Sequence, residues 1–176
     1  MDFLHESFNN ADITGTAEKF LHMKDELLPF LFENLHKICL LEDEIYLLSE
    51  KYVAEKPTLG IPRHIVHPKD KEMWADYRKR YREIVEPICT ETLLKRGVAQ
   101  SFAEPAEYDY IHTGCKKIFF IMKSKSRAVV EIHYKHGVKK MHQFVLQLKE
   151  DGWKISSKNY GYPRPGEIDK WHVSTI

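Results

Sequence analysis

Ten histidines in one chain invite a search for metal and acid–base chemistry. His64-x-x-His67 and His112-x-x-Cys115 each have the spacing of half a zinc site. No second pair at ligand spacing follows either one, and structural zinc takes four ligands. No metal or other cofactor is therefore expected. His142 is more informative, because strand alternation sets it among Ile132, Tyr134, Phe144 and Leu146, on an apolar face where a polar ring needs partners. It reads first as a core histidine bonded to a tyrosine, an aspartate or a backbone carbonyl, and second as a proton-transfer group. Asp109, flanked by Tyr108 and Tyr110, is a candidate carboxylate beside a pocket. Together Asp109, Tyr134 and His142 would make a set suited to acid–base work. The chain has no Gly-rich phosphate loop, serine-nucleophile elbow or Walker-type motif.

The near-zero net charge hides an asymmetry along the chain. Residues 1–60 carry 5 Lys and Arg against 12 Asp and Glu, whereas residues 61–176 carry 22 against 14. An acidic front is thus joined to a basic back. Residues 113–160 hold 11 Lys and Arg against 3 Asp and Glu, with Phe119, Phe120 and Tyr134 interleaved, a pattern able to bind single-stranded nucleic acid. Those aromatics are needed for a core, however, and the acidic front offers an internal counterpart. A sequence pI of about 7.8 also lies well under that of a nucleic-acid binder, so none is expected as a partner.

These residues need a scaffold. A chain of 176 residues, 43% hydrophobic and 30% charged, suits one soluble domain and excludes a fibrous, disulfide-stapled or disordered class. No apolar run approaches the roughly 20 residues of a membrane span. The start, Met1-Asp2-Phe3-Leu4-His5-Glu6, lacks the basic and apolar regions of a signal peptide, so a cytoplasmic address without membrane contact is expected. Cys39, Cys89 and Cys115 are odd in number and scattered, as reduced core thiols would be.

Leu27, Leu31, Leu35, Ile38, Leu41, Ile45, Leu48 and Tyr52 recur every three or four residues, predicting an amphipathic helix with Pro29 in its first turn. A helical turn around 17–26 precedes it. Glu42, Asp43 and Glu44 are expected on its solvated face. Residues 54–68 hold three prolines and a glycine and read as a loop. A second helix follows Pro68 with Trp74, Tyr77, Tyr81, Ile84 and Ile88 at helical spacing; Pro87 splits it and Gly97 caps its end. Strands are predicted over 118–123, 127–135, 139–149 and 153–158. A three-residue loop at 136–138 sets Ala128 opposite Leu146, Val130 opposite Phe144 and Ile132 opposite His142. A two-residue turn at Asp151-Gly152 would set Leu148 opposite Ile155 and Glu150 opposite Trp153. Helices followed by an antiparallel meander make an α+β fold.

From Ser101 onward, Ser101-Phe102-Ala103-Glu104-Pro105-Ala106-Glu107-Tyr108-Asp109, Arg127-Ala128-Val129-Val130, Phe144-Val145-Leu146, Asp151-Gly152-Trp153-Lys154-Ile155 and Asp169-Lys170-Trp171 occur in order. With the aromatic helix around Trp74–Tyr81, this pattern resembles the nuclear transport factor 2-like fold immunity proteins of bacterial polymorphic toxin systems over roughly residues 70–176. The first 20 or so residues and the run Tyr160-Gly161-Tyr162-Pro163-Arg164-Pro165-Gly166 depart from it. The resemblance implies a cone-like fold over residues 1–176, with a curved antiparallel sheet wrapped over helices and an N-terminal helical extension. It also implies a non-enzymatic task, the binding and silencing of a cognate toxin protein. Expected contact residues are the acidic Glu42, Asp43, Glu44 and Glu50 and the tail residues Tyr160, Tyr162 and Arg164. The alternative is a small-molecule enzyme of isomerase or dehydratase type, with Asp109, Tyr134 and His142 in an open cavity. Trp153 and Trp171 are expected to pack on the core.

Overall fold

The predicted apolar stripe becomes helix α1 (Lys24–Glu55), which buries Leu27, Leu31, Leu35, Ile38, Leu41 and Ile45. The computed structural model describes residues 8–98, 101–115, 117–163 and 170–176, the side chain of His136 excepted. A 3-10 turn (Glu18–Met23) leads straight into α1. The helix therefore starts earlier than its apolar pattern, and Pro29 falls in the second turn, where it removes one helical hydrogen bond. The buried arc is wider than one stripe. Leu28, Phe32, Asn34, Cys39 and Glu42 are also buried. The expectation that Glu42 lies on the solvated face is corrected: it is 2% exposed.

Helix α2 (Asp70–Val85) packs against α1 through Tyr77 and Tyr81, both fully buried. Beyond Pro87, Thr90 caps the short helix α3 (Glu91–Arg96) by accepting from the Leu93 N–H, and Gly97 follows at φ 122°. One turn of helix, α4 (Tyr110–Thr113), precedes the sheet.

The sheet is an antiparallel meander in the order β1-β2-β3-β4-β5: Lys117–Ser124, Arg127–His136, Val138–Lys149, Gly152–Gly161 and His172–Ser174. The helices and this open sheet form an α+β fold. The β2–β3 register is the predicted one, with Ala128 opposite Leu146, Val130 opposite Phe144 and Ile132 opposite His142. The β3–β4 register differs. Glu150 and Asp151 form the connection, and Gly152 opens β4 at φ 114°, so Leu148 faces Trp153 and Leu146 faces Ile155. The side-chain parity survives because the pairing slides by an even number of residues. A bulge then leaves Ser156 unpaired, with its Oγ donating to the Val145 carbonyl at 3.0 Å.

The inner side of the sheet is filled by carbon: Phe120, Ala128, Val130, Ile132, Phe144, Leu146 and Ile155 are all fully buried. Trp153 packs partly buried against this core. Both long edges are covered. Asp12 bonds along β1 through the Ile118 carbonyl and the Phe120 N–H (2.8 Å each), and Ala17 reaches the Met122 carbonyl at 2.9 Å. Along β4, Ile155 pairs with Ile88 and Thr90. Strand edges covered in this way cannot template aggregation. Phe144→Ala is expected to cost about 3–5 kcal/mol in urea unfolding, as large core truncations do; a loss under about 1 kcal/mol would contradict this position.

Candidate functional site

Three polar side chains enter the interior from different elements. His142 comes from β3, Lys158 from β4 and Glu42 from α1, and each is 4% exposed or less. All three find partners in the short stretch 107–110 or beside it. Lys158 Nζ donates to the Glu107 carboxylate and lies 4.9 Å from the centre of the Tyr108 ring. The Glu107 N–H donates to Glu42 Oε2 at 2.8 Å. His142 is held on both sides, Nδ1 by the Tyr110 hydroxyl at 3.2 Å and Nε2 by the Tyr134 hydroxyl at 3.1 Å. One hydroxyl must donate and the other accept, since a neutral imidazole has one of each role.

Burial, reinforced by Lys158 and Lys140, holds the His142 ring well below its ordinary value of 6.5. Burial likewise pushes both tyrosines well above 10, so the triad is neutral near pH 7. The histidine's contribution to stability is present above about pH 6.5, and acid removes it by charging the unfolded chain first.

The triad forms the inner end of an open pocket of about 390 Å³. Glu104, Glu107, Asp109, Lys135 and Lys140 also line it, and Tyr160 and Tyr162 are its exposed aromatic members. Tyr160 stacks on His172 with ring centres 5.2 Å apart and meets Tyr162 edge-on at 6.3 Å. Both tyrosines are exposed.

The predicted residues divide accordingly. Asp109, Tyr134, His142, Tyr160 and Tyr162 share this one pocket. The Asp–Tyr–His set is nevertheless not assembled: Asp109 Oδ2 accepts from Thr113 Oγ1 at 3.2 Å, and the partners of His142 are tyrosines. The acidic front does not act as one face. Glu42 is inside, Asp43 Oδ2 stands 3.9 Å from the Cys39 thiol, and Glu44 is bound bidentately by Arg80 of α2 at 2.6 and 2.7 Å. Glu50 is exposed. The counterpart to Glu44 is thus α2 rather than the basic sheet. Arg164 lies outside the described residues.

His64 and His67 do not form half a metal site. His67 is buried, stacked on Tyr52 at 4.6 Å, and accepts at Nδ1 from the Lys69 N–H. Cys115 donates its thiol to the Tyr110 carbonyl at 3.8 Å. The three cysteines are free.

Sequence reasoning missed Glu107, Lys158 and Tyr110 as site residues. The bulge at Ser156 is what turns Lys158 inward, and simple alternation from Ile155 would place it outside.

Burial raises the Glu42 carboxyl from 4.5 to about 7, with Glu107 adding repulsion and its N–H and Lys158 opposing. A raised carboxyl pKa means its contribution is full below pH 4.5 and is lost as pH rises through about 7. Glu42→Gln keeps an acceptor for the Glu107 N–H. It should match the parent near pH 4 and exceed it at pH 8 by on the order of 3 kcal/mol in chemical denaturation; parallel pH profiles would contradict the assignment. No described helix is long and apolar enough to cross a membrane. Comparison with protein-family models, curated proteins and solved structures finds no match.

Proposed function

We propose that this chain is an immunity protein that binds a cognate bacterial toxin in the cytoplasm and silences it by protein–protein association. The fold assigned with this reading is the cone-like, nuclear transport factor 2-like one. The observation that carries it is the exposed aromatic rim Tyr160–Tyr162–His172 around a recess whose buried polar groups already satisfy one another. Such a recess accepts an anchoring side chain from a partner, and tyrosines at its lip are the residue type enriched at binding hot spots. Lys135 and Lys140, set against Glu104, Glu107 and Asp109, offer a partner charges of both signs. The motif order from Ser101 onward supports the same family reading.

A second reading, a small-molecule binding protein or enzyme on the same fold, is favoured by one feature: the pocket is open and partly polar, as that reading requires. Acid–base catalysis at His142 is disfavoured by the neutral Tyr–His–Tyr ladder, in which no carboxylate bonds the ring.

Co-expression with the toxin encoded just upstream should restore growth and yield a co-purifying complex. Replacing both rim tyrosines, Tyr160→Ala and Tyr162→Ala, should weaken that complex at least about tenfold with little change in melting temperature. Failure to rescue, combined with turnover of a small substrate, would replace the immunity reading with the second one.

A further inference from the structure

Away from the pocket, α4 brings His112 to a pair of residues one turn apart on α1. The ligand atoms of Cys39, Asp43 and His112 all lie within 4.8 Å of one another. Cys39 and Asp43 are one turn apart on α1, with Sγ 3.9 Å from Oδ2. His112 is set in α4 by its N–H, which donates to the Asp109 carbonyl at 2.8 Å. His36, a turn before Cys39 on the same helix, places its ring 5.0 Å from that of His112. The His36 Nδ1 atom is buried and has no hydrogen-bond partner among the described residues.

We propose that Cys39, Asp43 and His112 bind one zinc ion, with the neighbouring His36 ring moving in as fourth ligand. A thiolate, two imidazoles and a carboxylate suit zinc and disfavour magnesium and calcium, which take oxygen donors. Tetrahedral zinc at about 2.0–2.3 Å from each donor sets the donors about 3.3–3.7 Å apart, so the 3.9 Å thiol–carboxylate pair closes by a few tenths of an ångström and the pairs with His112, all within 4.8 Å, by up to about 1.5 Å. Exposure is graded from Cys39, which is wholly buried, through half-buried His36 and Asp43 to exposed His112. The core thus closes one side, and the ion enters from the other.

Without metal, the Cys39 thiol carries a proton that it donates toward Asp43 Oδ2 at 3.9 Å. Binding forms the sulfur–zinc bond and releases that proton to solvent. A weak thiol–carboxylate contact alone accounts for Cys39 and Asp43 but leaves the two apposed histidines without a reason. The ion would pin α4 to α1 and so fix Tyr110, one wall of the pocket, against His142.

The test uses the full chain, stripped with a chelator under reducing conditions and titrated with Co²⁺. One equivalent should produce a thiolate-to-cobalt charge-transfer band with tetrahedral visible bands, and one equivalent of Zn²⁺ should remove both. His112→Ala, at an exposed position, should weaken binding at least roughly tenfold, and Cys39→Ser should abolish the charge-transfer band. His64→Ala should change nothing. Absence of a charge-transfer band at saturating Co²⁺, or His112→Ala binding as tightly as the parent, would overturn the site.

Discussion

Asn34, Glu42, His67, His142 and Lys158 are the polar side chains buried among the described residues, and three of these five are answered by one short stretch of chain. Glu107 gives its carboxylate to Lys158 and its N–H to Glu42, while Tyr110 closes on His142. Removing a partner from a buried charge costs several kcal/mol, because the remaining charge has no water to return to. The stretch Glu107–Tyr110 is therefore the clasp between α1 and the sheet. It ties a carboxylate on the helix side to an ammonium and an imidazole on the sheet side, and the apolar packing must be compatible with that geometry.

The clasp also determines what the pocket can do. With Glu107 paired to Lys158 and Tyr110 to His142, the recess meets a neutral Tyr–His–Tyr ladder at His142. What remains available to another molecule is the rim, where Tyr160 and Tyr162 stand exposed beside Lys135 and Lys140. That division, a neutral ladder at His142 with exposed tyrosines beside it, suits docking better than proton transfer. The N-terminal stretch around Asp12–Ala17 covers the edge of β1 and keeps it from pairing with other chains.

Much of this scaffold was legible in sequence, for identifiable reasons. Helical spacing from Leu27 to Ile45 and the Gly137 loop carried strong periodic signals, and the β2–β3 register followed from keeping Val130, Phe144 and Leu146 on one face. His142 was legible as internal for the same reason. Glu42 was not, because α1 is packed on two sides, by α2 and by the clasp, and a single stripe underestimates the arc it buries. Lys158 was not, because one unpaired residue at Ser156 inverts the facing of everything after it. Asp109 was legible as a pocket residue but not as a partner of Thr113. Cys39 and Asp43 are one helical turn apart, but His112 is distant in sequence, and only the fold brings it to them.

A double-mutant cycle between Lys158→Met and Glu107→Gln, read from denaturant midpoints at pH 7, tests the clasp most directly. The account predicts that the two changes are strongly non-additive, with a coupling of at least about 1 kcal/mol and the double variant more stable than Glu107→Gln alone. Additive effects within about 0.5 kcal/mol would mean that Glu107 does not hold the buried ammonium, and the clasp would be contradicted.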